Sequence, residues 1–244
     1  MSLVNNIEYD ELDIMITEIP NALDLGQFCQ QSSCLFDKNS YQESVQEQFG
    51  IYVPEKMSRA VPKRKAEYIA GRYCARKSLG AINISDQAVG TSEERAPVWP
   101  EGVVGSITHS AGFASAVVAK AEEIRGIGID SEKCIKEKTA NNIRSHILTE
   151  RETFGDNPHV ANNDRLYLTV VFSAKESIYK CLNPIVKQFF DFKHAVIKFD
   201  VDRKNQFSFE LLKTLNNEFC LGYQGRGEYF IDDEFIHTAV VLKK

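Results

Sequence analysis

The sequence lacks the features that mark secreted, membrane-spanning or zinc-finger proteins. It has six cysteines in 244 residues, all dispersed and none in a Cys-x-x-Cys pair, which argues against a zinc site or a dense disulfide framework. No apolar run approaches the roughly 20 residues of a membrane helix. Residues 1–13 carry acidic side chains and no basic one, whereas a secretory signal begins basic and then turns apolar. We therefore expect reduced thiols, no transmembrane segment and a cytoplasmic location.

An excess of positive charge is also missing. The chain has 29 Lys and Arg against 34 Asp and Glu, a net charge of −5, so we expect no nucleic-acid partner. The hydrophobic share of 43% and the charged share of 26% are ordinary for a globular protein. The length suits one large domain or two small ones.

Two segments have helical periodicity, and most of the remaining apolar segments alternate. Apolar residues recur at helical spacing over 63–79, with Gly80 as a plausible end. A second helix is predicted from about 164 to 182, where Pro184 should stop it. Alternation of apolar and polar residues predicts strands at 105–109, 113–119, 126–130, 195–199, 207–211 and 237–242.

The two parts of the chain resemble each other. Each has a long helix accompanied by strands, and each closes on a similar strand, Phe113-Ala-Ser-Ala-Val-Val-Ala119 or Ile236-His-Thr-Ala-Val-Val-Leu242. We therefore predict an α+β fold built by duplication, with an N-terminal half at 1–122 and a C-terminal half at 123–244. The C-terminal half carries the acidic residues described next.

Three carboxylates are candidates for a metal site. Asp130 and Glu132 are two apart at the end of an apolar strand, so their side chains share one side. Paired carboxylates repel each other unless a cation lies between them, and Mg²⁺ prefers oxygen ligands. Glu176 lies in an apolar helix, on one stripe with Ser173 and Lys180. The alternatives are a solvated strand end and an ordinary Glu176–Lys180 surface ion pair.

Basic and hydroxyl groups are candidates for phosphate binding. Thr108 and His109 end one strand of the predicted hairpin, and Arg95 lies beside a proline-rich turn. Arginine binds phosphate with a two-pronged fork and lysine binds it as a point charge. A solvated helix face and a structural histidine are the alternative interpretations. The segment 56–77 is locally basic, with Lys56, Arg59, Lys63, Arg64, Lys65, Arg72, Arg76 and Lys77.

Five stretches, taken in order, resemble those of the 4′-phosphopantetheinyl transferases. The paired signature is Gly126-Ile-Gly-Ile-Asp-Ser-Glu132 followed by Phe172-Ser-Ala-Lys-Glu-Ser-Ile-Tyr-Lys180. The resemblance to the enterobactin synthetase component D subgroup rests on Lys63-Arg-Lys-Ala-Glu-Tyr-Ile-Ala-Gly-Arg72, Arg95-Ala-Pro-Val-Trp-Pro100 and Gly105-Ser-Ile-Thr-His109. Position 131 departs from the family, because serine stands where an apolar residue is usual. A core-facing hydroxyl there needs a hydrogen-bond partner.

The resemblance implies two similar α+β halves with coenzyme A as substrate in the cleft between them. It implies that a carrier-protein serine receives the 4′-phosphopantetheine arm and that Mg²⁺, or Mn²⁺ in its place, supports the reaction. One chain then supplies the whole cleft, which favours a monomer. The implied metal ligands are Asp130, Glu132 and Glu176. The implied contacts to coenzyme A are Arg64, Arg72, Arg95, Thr108, His109 and Lys180.

The resemblance also implies catalytic roles. Glu176 is the expected general base, directly or through a water. Lys180 is expected to neutralise the transferred phosphate, with help from Lys175. The carrier is expected to belong to a siderophore-type non-ribosomal peptide synthetase, with fatty-acid carriers as the rival. A non-enzymatic module that binds coenzyme A or a nucleotide, a metal-dependent phosphodiester hydrolase and an interaction domain are the alternative functions.

Overall fold

In the described residues, two large antiparallel sheets each pack against one long helix, and a third sheet has only two strands. The structure, a computed structural model, describes residues 15–84, 88–154, 160, 163–200 and 202–244. The helices are α1 (Val45–Phe49), α2 (Pro62–Ala81), α3 (Glu137–Ile147) and α4 (Asp164–Val186). The strands are β1 (Ile16–Ile19), β2 (Gln30–Phe36), β3 (Gly90–Thr91), β4 (Pro97–Val98), β5 (Val103–Ser110), β6 (Phe113–Lys120), β7 (Ile124–Glu132), β8 (Ala195–Phe199), β9 (Gln206–Leu211), β10 (Gln224–Ile231) and β11 (Ile236–Lys243).

The first sheet has the order β1-β2-β6-β5, and α2 packs on it. Pro62 stands at the start of α2, where its fixed φ suits a helix and its missing N–H leaves no donor unpaired. The face of α2 that meets the sheet is wholly buried at Ile69, Ala70 and Leu79. The basic residues of α2 therefore lie away from the core, towards solvent and the cleft described below.

The second sheet has the order β7-β11-β10-β9-β8, with α4 across it. Two glycines of β7 let α4 approach closely. A Cβ at Gly128 would lie 1.8 Å from the carbonyl oxygen of Ser177, and one at Gly126 would lie 2.9 Å from that of Cys181. Because no side chain fits there, the glycines of the Gly-Ile-Gly-Ile-Asp stretch set the depth at which α4 faces β7.

Hydroxyl side chains join the two sheets where β5 meets β7. Ser106 accepts a hydrogen bond from the backbone N–H of Ile129 at 3.1 Å, and Thr108 accepts one from that of Ser131 at 3.1 Å. This seam brings the end of the β5–β6 hairpin against the acidic end of β7. The seam therefore positions residues of both parts of the chain around one site.

The structure confirms the α+β class and both long helices, and it corrects two helix ends. Helix α2 runs through Gly80 to Ala81, so the prediction that Gly80 ends it is wrong, because Gly80 does not adopt the left-handed conformation of a C-terminal cap. Helix α4 continues through Pro184 to Val186, so the prediction that Pro184 stops it is wrong. Pro184 lies in the last turn, where its missing N–H removes one helical hydrogen bond without ending the helix. Among the described residues, no helix is long and apolar enough to cross a membrane.

Candidate active site

Asp130 is the most firmly held of the three carboxylates. It is buried on β7, and Lys180 donates to its Oδ1 at 2.6 Å. Ser173 donates to Oδ2 at 2.8 Å, and Thr108 donates to Oδ1 at 3.3 Å. Ser173 and Lys180 both come from α4, which confirms that their stripe faces β7. The carboxylate therefore has a fixed orientation supplied by both parts of the chain.

Glu132 follows Asp130 on the same face of β7, and its negative charge is less strongly stabilised by hydrogen-bond donors than that of Asp130. Ser110 donates to its Oε2 at 2.8 Å. Burial, and then the negative charge of Asp130, raise the pKa of Glu132 to about 7, with a smaller contribution from Glu176. A nearby cation would lower that pKa and keep the carboxylate ionised.

Glu176 lies on α4 within the electrostatic reach of the other two carboxylates. Burial raises its pKa, Asp130 raises it further, and the ammonium of Lys180 opposes both. The expected Glu176–Lys180 pair is replaced by the Asp130–Lys180 pair. The simple surface ion pair is therefore the wrong interpretation of this helix.

The donor set fits a hard divalent cation in charge and in atom type. After burial, the negative charge of Asp130 raises the pKa of both Glu132 and Glu176, and a cation between the three carboxylates would relieve that repulsion. In the parts of the chain that the structure describes, no three His, Cys, Asp or Glu side chains are gathered tightly enough to hold a metal as they stand. Metal binding by these three residues therefore stays a prediction.

A basic cleft of about 630 Å³ reaches Ile107 and His109 on β5, a volume suited to a cofactor-sized ligand. Its walls come from α2 and the segments that flank it, the β3–β4 region and the end of β5. The cations that line it are Lys56, Arg59, Arg64, Arg72 and Arg95. Among the described residues that line it, the acidic ones are Glu67 and Glu93, so the cleft favours a polyanionic ligand.

His109 projects into this cleft as a neutral imidazole. Burial, together with the cations of Arg64 and Lys180, lowers its pKa to about 4 against the opposing effect of Glu67. The Nη1 atom of Arg64 lies 3.0 Å from Nε2 of His109. Since a guanidinium can only donate, Nε2 accepts and the ring proton is on Nδ1. His109 and Arg64, which are both predicted contacts of coenzyme A, thus lie together in the cleft.

The other predicted contacts to coenzyme A differ in whether their side chains line the cleft and have donors left for a ligand. Arg95 lines the cleft. Arg72 also lines it, but its guanidinium already donates to the carbonyls of Val89 and Gly90 and to the Thr91 hydroxyl at 2.9 to 3.0 Å. Arg72 therefore shapes the wall of the cleft and keeps fewer donors for a ligand. Thr108 reaches Asp130 and is not a lining residue of the cleft.

Lys175 is removed from the reacting groups. Its ammonium donates to Glu152 at 2.7 Å and to the carbonyl of Ile147 at 2.8 Å, with both charged side chains at most 1% exposed. Glu152 also accepts the backbone N–H of Ile197 at 2.7 Å. The expectation that Lys175 assists at the transferred phosphate is therefore wrong, because its charge is already paired in the core.

Sequence reasoning missed an apolar cleft next to Glu176. It has a volume of about 190 Å³, and its lining includes Tyr179, Phe189 and Phe190. Phe189 is 72% exposed at this position. The signal was present in the sequence as Phe189-Phe190-Asp-Phe192, directly after α4, but its spacing fits no regular element. The basic cleft, the carboxylates and this apolar cleft together suit a ligand that carries both phosphate groups and an apolar part.

Comparison with known proteins identifies the class of protein. A family model of the 4′-phosphopantetheinyl transferase N-terminal domain matches residues 53–119, and one of the 4′-phosphopantetheinyl transferase superfamily matches residues 126–239. The chain is 33% identical to the 4′-phosphopantetheinyl transferase Npt of Nocardia iowensis, over 75% of this chain and 85% of Npt. It is 31% identical to PptT of Mycobacterium tuberculosis, over 85% of this chain and 94% of PptT. It is 33% identical to enterobactin synthase component D of Salmonella typhimurium, over 61% of this chain and 60% of that protein.

The chain belongs to the 4′-phosphopantetheinyl transferase superfamily. It is an enzyme that transfers the 4′-phosphopantetheine of coenzyme A to a carrier protein. The resemblance to the component D subgroup and the two-halved α+β fold are likewise confirmed. The comparisons therefore favour the transferase over the three alternative functions considered from the sequence, which were a non-enzymatic binding module, a hydrolase and an interaction domain.

Proposed function

We propose that Asp130, Glu132 and Glu176 hold a Mg²⁺ ion and that Glu176 also acts as the general base of the transfer. The observation that supports both roles is the burial of the two glutamates beside the charge of Asp130, which raises the pKa of Glu132 to about 7 and also raises that of Glu176. A bound divalent ion would supply charge stabilisation at the pyrophosphate oxygens of coenzyme A. Mn²⁺ has the same ligand preference and is expected to substitute.

The residues of the basic cleft bind the nucleotide end of coenzyme A in this proposal. The phosphate groups contact Arg64, His109 and Arg95, with the Nδ1–H of His109 as a neutral donor. The apolar cleft beside Glu176 takes the pantetheine arm, whose methyl groups suit the rings of Tyr179 and Phe190. Glu176 lines the apolar cleft, and the charge of Lys180 acts on His109 in the basic cleft, so in this proposal the pyrophosphate lies next to Lys180.

The transfer exchanges one phosphorus–oxygen bond for another. The carrier serine Oγ forms a bond to the phosphorus that bears pantetheine, and its proton goes to Glu176. The bond from that phosphorus to the bridging oxygen breaks, and 3′,5′-adenosine bisphosphate leaves with the electron pair. Lys180, already within the site, balances the negative charge on the transferred group.

We propose a carrier domain of a siderophore-type non-ribosomal peptide synthetase as the acceptor, and a monomeric, cytoplasmic enzyme. The support is the similarity to enterobactin synthase component D. The test is incubation of the enzyme, coenzyme A and Mg²⁺ with aryl, peptidyl and fatty-acid carriers, followed by mass spectrometry of each carrier. Fastest gain of one phosphopantetheine by the peptide-synthetase carriers supports the proposal. Preferred modification of the fatty-acid carrier contradicts it, and full activity after exhaustive chelation contradicts the metal.

A further inference from the structure

A buried polar chain runs from the turn between β10 and β11 to the carboxylates of the candidate active site. Its central residue is His237 on β11, which is 3% exposed. The Nε2 atom of His237 lies 3.1 Å from Oδ2 of Asp232, and its Nδ1 lies 2.9 Å from Oγ of Ser131. Ser131 is the serine between Asp130 and Glu132, and its hydroxyl here finds the partner that its burial requires.

The hydrogen-bond directions in this chain follow from the chemistry of its ends. An ionised carboxylate only accepts, so the proton of the ring is on Nε2 and is donated to Asp232. Burial lowers the pKa of His237, which favours the neutral ring, and Nδ1 then accepts from the Ser131 hydroxyl. Asp232 is fixed in turn because its Oδ1 accepts the backbone N–H groups of Glu234 and Phe235 at 2.8 and 2.6 Å.

The chain continues from Ser131 to the active site through the backbone. The backbone N–H of Ser131 donates to Oγ1 of Thr108 at 3.1 Å. The hydroxyl of Thr108 in turn donates to Oδ1 of Asp130 at 3.3 Å. Successive side chains on a strand point to opposite faces. Fixing Ser131 on one face of β7 therefore fixes the rotation of the strand and the direction of Asp130 and Glu132 on the other.

Two simpler roles fit this cluster less well. Ser131 is only 3% exposed and lines neither of the clefts described above, so it is not placed to act as a nucleophile. A merely space-filling role would be met by the apolar residue usual at this position. Neither role accounts for an imidazole held at both nitrogens.

We propose that Ser131, His237 and Asp232 are positioning residues that set the orientation of Asp130 and Glu132 towards a divalent cation. The inference rests on the proposed metal site. Partners that orient metal ligands from outside commonly change metal affinity about 10- to 100-fold. Because Ser131 acts through the strand backbone, we expect the lower part of that range.

The test measures Mn²⁺ binding by calorimetry in the presence of 3′,5′-adenosine bisphosphate, together with transfer kinetics at varied Mn²⁺. For Ser131→Ala and for His237→Phe we expect the Mn²⁺ dissociation constant to rise about tenfold, with kcat largely recovered at saturating Mn²⁺. His237→Asn should recover much of the affinity lost in His237→Phe, since the asparagine oxygen replaces Nδ1 as acceptor for Ser131. The double variant should bind no more weakly than the weaker single one.

Ser78→Ala is the matched control. Ser78 is equally buried and donates to the carbonyl of Ala116 at 3.0 Å, so its loss removes one buried hydrogen bond without touching β7. We expect it to lower the melting temperature and to leave the Mn²⁺ dissociation constant unchanged. An unchanged constant in Ser131→Ala would overturn the inference, whatever its melting temperature.

Two further results distinguish a failure of the inference from variants that do not fold and from a failure of the proposed metal site. If the core variants do not fold, Asp232→Asn, at a residue whose side chain is 39% exposed, should still weaken Mn²⁺ binding in the same direction, and an unchanged constant overturns the inference. If the wild-type enzyme transfers phosphopantetheine but binds no Mn²⁺, the proposed metal site itself fails and the inference fails with it.

Discussion

The two neighbouring cations of α4, Lys175 and Lys180, have opposite roles although they lie in one signature stretch. Lys180 is 25% exposed and pairs with Asp130 inside the site, whereas the Lys175 side chain is 1% exposed and pairs with Glu152 in the core. The sequence could not distinguish the roles of the two lysines, because both lie in the same apolar helical stretch. Only the position of Glu152, which reaches Lys175 from the segment after α3, decides which charge is available to a substrate.

This difference predicts different effects of removing each charge. Lys175→Met leaves the Glu152 carboxylate buried without its cation, which should cost about 3–5 kcal/mol of stability. Lys180→Met removes the cation beside the buried Asp130, but Ser173 and Thr108 still donate to that carboxylate, so this variant should lose less stability and should reduce transfer. Urea unfolding and initial rates of transfer, measured on both variants, check the pair. A stable Lys175→Met enzyme would contradict the buried ion pair.

His109 predicts a pH dependence of stability. Its pKa falls from an ordinary value of 6.5 to about 4 in the folded protein, so below pH 6.5 the unfolded chain binds a proton that the folded chain does not. The contribution of His109 to stability is therefore full above pH 6.5 and is lost progressively as the pH falls towards 4. Melting curves of wild type and His109→Gln should show a difference that is constant from pH 7 to 8 and changes below pH 6. A difference independent of pH would exclude a neutral, buried imidazole.

At the scale of elements, the contact between β7 and α4 explains why the signature needs glycine. A Cβ at Gly128 has no room beside the backbone of α4. Gly128→Ala should therefore lower the free energy of unfolding by about 3 kcal/mol or more and reduce transfer. Gly80→Ala is the control, because the same added methyl at Gly80 in α2 meets nothing within 4 Å. The Gly80→Ala variant should be neutral or slightly stabilising, by about 0.5–1 kcal/mol. Guanidinium unfolding of both variants then distinguishes a local clash at Gly128 from a general effect of replacing glycine by alanine.

The elements that the sequence predicted are those with a clear period. Both long helices and the strands from 105 to 132 were readable, because their apolar positions repeat at helical or alternate spacing. Strand β10 was not, since Gly225 and Gly227 stand where apolar side chains would mark a strand. The rings of Phe209 and Phe207 occupy the space that their side chains would need. The side chains of the neighbouring strand β9 therefore fill the face of β10. This filling cannot be predicted from the sequence of β10 alone.

At the scale of the whole molecule, the site is assembled from both parts of the chain. The basic cleft comes from residues 56–109, and the three carboxylates come from β7 and α4. The hydroxyls of β5 bring the two together at the acidic end of β7. The individual residues were predictable from motif resemblance, whereas the seam was not, because serines and threonines in a hairpin carry no signal of their partners. The division at residue 122 and the monomeric state remain predictions.

The most direct test of the account is a comparison of wild type with Glu176→Gln on a peptide-synthetase carrier. Transfer is followed by mass spectrometry of the carrier, and coenzyme A binding is followed by calorimetry. Glu150→Gln, a change at an exposed glutamate outside the site, is the control and should behave as wild type. We expect Glu176→Gln to bind coenzyme A with nearly unchanged affinity and to transfer phosphopantetheine at least about 100-fold more slowly. Transfer at the wild-type rate would contradict the account.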